Sequence, residues 1–269
     1  MSNISLWKKA NYAARIEYVI DNMIREFDIS KANISVLRDA NILSEEQYQY
    51  YLRSPRMERQ VAIGKLQGSN PEITNILKDG ITNAKKVFMF SNSIQDSEIL
   101  YIRNDAIAVI GPRVINNLII TDRVSFRESA RYSSFYRFNA IDMLYFYDQV
   151  TNTERLDLKG LGDEGVALHR PFMLDFLCEL FYCAQIDGIQ QAIPLIQNFH
   201  KNYVNMDLPI EYYRELNSQS KYKLLSDTSM YSSVYLDYAT EYHKRYLDMS
   251  YNEALLRHFN RIFASIYFR

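Results

Sequence analysis

Glycine and proline are scarce in this chain, with 8 and 6 residues among 269. So few turn formers argue against a loop-rich architecture and for long helices. Cysteine is nearly absent: Cys178 and Cys183 lie in an apolar helical pattern and read as core thiols in a reducing compartment. The four histidines, His169, His200, His243 and His258, are scattered without acids at ligand spacing, which disfavours a zinc site. No run approaches the ~18 apolar residues of a membrane span. The opening MSNISLWKKANYAARIEY also lacks the apolar run of a signal peptide. An intracellular, cytoplasmic protein with no membrane partner is therefore expected. No Gly-rich phosphate loop ending in Lys-Ser/Thr and no Gly-x-Ser-x-Gly elbow occurs, which excludes two common nucleotide and acyl-transfer chemistries. Charge of one sign is missing too. Lys and Arg number 31 against 32 Asp and Glu, for a net charge of −1, so a polyanion would need a local basic surface.

Apolar residues and aromatics are plentiful: 48% of the chain is apolar, with 22 Tyr and 14 Phe. A chain of this length and composition buries an ample core. Ala14, Ile16, Val19, Ile20 and Met23 fall at helical spacing and predict a helix over 7–22. IREFDI, at 24–29, reads as a short strand, followed by one or two helical turns over 30–38. LSEEQYQYYLRS predicts a helix with Ser44 as N-cap and acids in its first turn. PRMERQVAIGKLQG predicts another, with Pro at its first position and Gly68 at its stop. A third helical stretch covers 70–92, with a break expected near Gly80. The period then changes: EILYIRNDAIAVIG, at 98–111, is two β-rich runs around a tight turn. Strands are expected at 116–127, 132–138, 142–148 and 154–159, and helices from His169 to the end. The fold class is thus α+β: a body over 1–165, with a helical insertion at about 40–95, then a helical region over 166–269.

Two acids stand out. Asp28 closes the strand in REFDISKANIS, and small polar residues follow it at helix-start spacing. Asp105 occupies the turn of the hairpin. Taken singly, each is a turn or cap residue as readily as a ligand. Together, a strand-end carboxylate and a hairpin-turn carboxylate suit hard divalent cations, which take oxygen ligands from one or two carboxylates and from substrate phosphates. Two such ions about 4 Å apart can activate a hydroxyl and stabilise a leaving pyrophosphate.

With these acids in place, the sequence resembles the family B DNA polymerases. Their first palm motif is an Asp closing a strand, then Ser-Leu-Tyr-Pro-Ser. Here FDISKANIS puts Asp28 on the acid, Asn33 on the Tyr and Ser35 on the last Ser. Their third motif, Tyr-Gly-Asp-Thr-Asp-Ser, is matched by YIRNDA, with Tyr101 on the Tyr, Arg103 on the first Asp and Asp105 on the second. A Lys-Lys-x-Tyr stretch is echoed by Arg131 and Tyr132, and a later Lys-Gly by Lys159 and Gly160. The ordered set spans roughly 20–215. The resemblance implies a polymerase-type palm with an antiparallel sheet, short helical fingers and an α-helical thumb. It implies Mg²⁺ or Mn²⁺ on Asp28 and Asp105, and a nucleoside triphosphate near Ser30, Asn33 and Ser35. Arg59, Lys65, Lys85 and Lys86 are the candidate triphosphate-binding cations of the fingers. Tyr101, Arg131, Tyr132, Lys159 and Gly160 would hold a primer–template.

The departures shape the expectation as much as the matches. Only about twenty residues precede the palm, so proofreading is not expected in this chain, and another chain would supply any missing domains. The fingers motif, Lys followed by Asn-Ser-x-Tyr-Gly, is represented only by Lys85 or Lys86 with Asn92-Ser93 at longer spacing. These cations equally fit a solvated helix face. Asn33 in place of Tyr removes the ring that excludes a 2′-hydroxyl in that family, and Asn can hydrogen-bond a hydroxyl. Weak discrimination between ribo- and deoxyribonucleotides is expected. The tyrosine clusters EQYQYYL, EYYREL and SSVYLDYATEYHKRY fit either base stacking or helix packing, with packing favoured by their spacing. Two functions follow: a minimal, template-dependent polymerase of viral or mobile-element type for DNA replication, or a degenerate palm that binds nucleic acid or serves in assembly without catalysis.

Overall fold

The computed structural model describes residues 5–138, 141–148, 153–159, 175–213, 221–224, 232–235, 260–264 and 266. The chain forms two compact units. The first takes the N-terminal residues to Ile16 and then Asp21–Ser133; the second takes Glu17–Ile20 and everything from Ser134. The division falls at Ser133/Ser134, about thirty residues before the expected boundary at 165. The reason is strand pairing. The strands after Ser133 pair with one another and with a two-residue strand from the N-terminal region, and so leave the first sheet.

The first unit is a six-stranded antiparallel sheet backed by helices. Its strands are β1 (Asn11–Ala13), β3 (Ile24–Ile29), β4 (Ile99–Arg103), β5 (Ala106–Ile110), β6 (Leu118–Ile119) and β7 (Ser125–Tyr132). Their spatial order is β1-β4-β5-β3-β7-β6. Between β3 and β4 run α1 (Ala32–Asp39), α2 (Glu45–Arg53), α3 (Arg56–Ser69) and α4 (Glu72–Ser91). Strand alternation aims Phe27 and Ile29 at the helices, with Ile107 beside them on β5 and Phe126 on β7. In α4, Ile73, Leu77, Ala84 and Phe88 recur at three- to four-residue multiples and form the facing stripe. Ser44 caps α2 as expected. Its hydroxyl accepts the Gln47 N–H, and the Gln47 side chain accepts the Ser44 N–H.

Gly80 does not break α4, which runs unbroken for 20 residues. The glycine lies against α1, where a β-carbon would meet Val36 Cγ1 at 2.4 Å. It permits close helix packing rather than a turn. Gly68 likewise falls inside α3, which ends at Ser69.

The expected N-terminal helix over 7–22 is replaced by a 3₁₀ turn (Leu6–Lys8), β1, and β2 (Tyr18–Val19). Both strands pair with distant partners: β1 with β4 of the first unit, β2 with the second unit's sheet. Long-range pairing overrides a helical spacing of apolar residues, many of which are β-branched or aromatic. The strand expected over 116–127 is two, β6 and β7, joined by a turn.

The second unit holds an antiparallel sheet ordered β10-β9-β8-β2, with β8 (Ser134–Phe138), β9 (Ile141–Asp148) and β10 (Thr153–Lys159). Helix α5 (residues 175–182) passes through a π-helical turn, Cys183–Asp187, into α6 (Ile189–Val204). Gly188 makes that junction at φ 94°, a conformation that favours glycine. Its core gathers Phe138, Met143, Phe181, Phe199 and Tyr213. Tyr212 and Tyr213, from one tyrosine cluster, are buried there, and the Tyr213 hydroxyl donates to the carbonyls of Asn202 and Tyr203. The C-terminal region is not wholly helical: β11 (Lys221–Leu224) and β12 (Ser232–Tyr235) form a hairpin.

Candidate active site

The β4–β5 hairpin puts Asn104 and Asp105 in its turn, with Asn104 left-handed at φ 50°. Asn accepts that conformation more readily than most residues. β5 lies directly against β3, with Asp28 opposite Ala106 and Glu26 opposite Ala108. The register therefore sets Asp105 one residue from the rung that carries Asp28. Because side chains alternate, Asp28 and Glu26 share the sheet face that the helices do not cover. Across that face, one rung reads Arg103, Ala106, Asp28, Arg127 and the next Tyr101, Ala108, Glu26, Ala130. The alanines are small and leave room beside the carboxylates, which are both half-buried.

Asp28 stays about a third exposed and pairs with Arg127 at 3.7 Å. The Tyr101 hydroxyl donates to Glu26, and burial with the adjacent Glu26 charge pushes the Tyr101 hydroxyl above its ordinary range. Burial also raises the Asp105 carboxyl, and the nearby charges of Asp28 and Glu26 add to the rise. Its own backbone N–H and Arg56 oppose it. Asp28 and Glu26 thus both act on Asp105 at one end of the sheet. Among the described residues, no three of His, Cys, Asp and Glu form a group able to hold a metal by themselves.

The raised Asp105 carboxyl has a consequence for stability. A carboxyl that binds its proton more tightly when folded makes the protein lose stability as pH rises from the ordinary carboxylate range through the raised value. Asp105→Asn should therefore be more stable than the parent at pH 7. The gain should vanish at pH 3, where the acid is protonated in both states. Denaturant unfolding at the two pH values measures it, and equal stability at pH 7 would count against the electrostatic picture.

The other candidate residues separate into groups. Ser30 follows β3, and its N–H donates to the Ser125 carbonyl at 3.2 Å. Ser35 is buried, and its hydroxyl donates to the Ser30 carbonyl at 3.0 Å, bracing the strand-to-helix turn. Asn33 is exposed on the first turn of α1. Arg59 donates to the Ser54 carbonyl between α2 and α3. Lys65 is exposed beside Tyr50 and Tyr51, lining a surface cleft. Lys85 and Lys86 diverge: Lys86 is exposed, over the Trp7 ring, whereas Lys85 is buried and donates to the Lys9 carbonyl at 2.6 Å. Tyr101 and Tyr132 are buried, Tyr101 against Glu26, so they brace the acids and are not exposed to a primer–template. Arg131 is exposed and pairs with Glu128. Lys159 ends β10 in the second unit, and Gly160 lies outside the described residues.

A family model described as Bacteriophage PBS1 gene 130 protein matches residues 1–264. The chain belongs to this family. No curated protein matches it significantly. The match runs through both units.

Sequence reasoning missed Glu26, Arg56 and Arg127. Glu26 was findable, since it stands two residues before Asp28 in a strand and two-residue spacing means one face. Arg127 and Arg56 come from distant elements and carry no local signal.

Proposed function

We propose that the first unit is the catalytic half of a template-dependent nucleotidyltransferase, with the second unit holding product or template. The observation that carries this reading is the register of β3 against β5, which sets the rung of the strand-end acid Asp28 next to the hairpin turn that carries Asp105. The strand order β4-β5-β3-β7, with helices inserted between β3 and β4, supports a palm architecture. Helices α2 to α4 would be the fingers and the helical part of the second unit the thumb.

The donor set suits Mg²⁺ or Mn²⁺: two neighbouring carboxylates, Asp28 and Asp105, with substrate phosphates completing the shell. When bound, the cations would supply charge stabilisation at the transferring phosphoryl group. Asp28 and Asp105 would hold them. The 3′-oxygen of a primer would attack the α-phosphorus, release pyrophosphate and lose its proton to solvent. The first N–H groups of α1 have no partner inside their helix and would lie near the triphosphate. Asn33, exposed on that turn, would face the sugar. Asn33→Tyr should then sharpen the choice of deoxyribo- over ribonucleotides, read as the ratio of incorporation rates. An unchanged ratio would remove Asn33 from the sugar site.

A second reading, a palm without catalysis serving binding or assembly, draws on the cations around the acids. Arg127 pairs with Asp28, Arg103 lies over the Tyr101 ring, and Arg56 acts on Asp105. Extension of a labelled primer on a template, with all four triphosphates and Mg²⁺ or Mn²⁺, decides between the two. Extension that Asp105→Ala abolishes supports catalysis; no extension, or extension that the variant leaves undiminished, overturns it. The family is named for a bacteriophage protein, and no helix among the described residues is long and apolar enough to cross a membrane. The family name fits a role in phage nucleic-acid replication.

A further inference from the structure

Lys85 is 1% exposed, on the inner side of α4, where its helix neighbours Ala84, Phe88 and Met89 are apolar and buried. Burying an ammonium is costly, and a methionine of similar length would fill the same space without that cost. Retention of the charge therefore calls for a use. Its Nζ donates to the Lys9 carbonyl at 2.6 Å. The next carbonyl along the chain, that of Ala10, accepts the Asn104 N–H at 2.7 Å. The segment then enters β1, where Asn11 pairs with Arg103. One continuous path thus runs from α4 through Lys85, Lys9 and Ala10 to Asn104 and the turn that carries Asp105. Asp105 is also the acid whose charge acts on Lys85. The other charged groups acting on that acid are Asp28 and Glu26 from β3 and Arg56 from α3.

We infer that Lys85 is a positioning residue for the Asp105 turn, acting through Lys9 and Ala10, so that the N-terminal segment is a working part of the acid site. The inference rests on the nucleotidyl-transfer reading only for what the acid is positioned to do. Asn104 holds a left-handed backbone, which persists when neighbours fix it; the Arg103–Ala106 pairing closes the turn and the Ala10 carbonyl holds its Asn104 N–H. Lys85 in turn fixes the peptide carrying that carbonyl. Without the ammonium, Lys9–Ala10 would be held by the Lys9 N–H bond to the Leu6 carbonyl and by the short β1 pairing, and the turn would loosen.

The test uses the full chain with Lys85→Met, and with Lys85→Gln, which keeps a donor without the charge and serves if the Met variant does not fold. Lys85→Arg is the conservative variant. Three readouts are taken: denaturant unfolding, amide exchange at Asn104, and primer extension as kcat and KM for the triphosphate. Lys85→Met should be at least as stable as the parent. Its Asn104 N–H should exchange at least about tenfold faster, as expected for losing one charge-assisted hydrogen bond in the path. kcat should fall by a similar factor while KM changes little, and Lys85→Arg should recover part of both effects. Unchanged protection at Asn104 in Lys85→Met and Lys85→Gln would overturn the inference, whatever the chain does to a primer. Faster exchange at Asn104 in a chain whose parent never extends a primer would uphold the positioning role and defeat the polymerase reading alone.

Discussion

Asp28→Ala and Asp105→Ala should each lower primer extension by at least about a thousandfold, the several kcal/mol that a bound cation contributes to phosphoryl transfer. The two losses should not add. Either carboxylate alone leaves an incomplete shell, so the double variant should be about as inactive as each single one. The Arg127 partner makes a further contrast available. Asp28 makes an ion pair with Arg127 at 3.7 Å, and the proposed function adds a cation-binding role. If the pair were its whole purpose, Asp28→Asn would lose little activity and modest stability, because a half-exposed pair contributes at most about 1 kcal/mol. On the catalytic reading, Asp28→Asn is nearly as inactive as the alanine variant while unfolding at almost the same denaturant concentration. Single-turnover extension with a labelled primer measures the first quantity and equilibrium unfolding the second. Extension by Asp28→Asn within threefold of the parent would remove Asp28 from the chemistry.

Phe88→Ala should destabilise the first unit by about 3–5 kcal/mol, the range for truncating a buried aromatic. Phe88 is fully buried on α4, where its ring stacks on Phe126 at 4.4 Å and tilts against Phe27 at 5.1 Å. The three rings join the helix layer to β3 and β7 at the level of the acids. Phe27 immediately precedes Asp28, and Phe126 immediately precedes Arg127. Removing the central ring leaves a cavity that the two strands cannot fill without shifting, so cation binding should weaken along with stability. Phe88→Leu, which keeps most of the volume, should cost markedly less than the alanine change. Denaturant unfolding followed by far-ultraviolet circular dichroism gives both numbers. A loss below about 1 kcal/mol for Phe88→Ala would mean that the helix layer is held elsewhere.

Much of the first unit was legible because its signals are local. IREFDI is observed as a strand with the expected limits, Ile24–Ile29. Ser44 and Gln47 announce the start of α2 through chemistry confined to four residues. The ND turn between two β-rich runs is a hairpin for the same reason. Where local and distant signals disagreed, distance prevailed. Residues 7–22 carry a helical spacing but complete two sheets as edge strands, because unpaired strand edges of β4 and β8 are satisfied there. Gly80 looks like a helix break until Val36 is seen against it.

The site divides in the same way. The sequence by itself determined that two acids end up at a strand end and in a hairpin turn, since strand, turn and alternation are properties of a few neighbouring residues. It also determined that the chain lacks a global positive field and any Gly-rich phosphate loop. Only the tertiary structure decided that β5 lies against β3, with Asp28 opposite Ala106, because register comes from long-range burial of Phe27, Ile107 and Phe126 together. The tertiary structure alone also moved Lys85 from a candidate surface cation to a buried one bonded to the Lys9 carbonyl. Lys85 and Lys86 are adjacent in sequence, and a helix rotates adjacent residues by about 100°, so one lies inside and the other outside. Which of the two turns inward depends on where α4 finds its sheet, and that is a property of the packed unit.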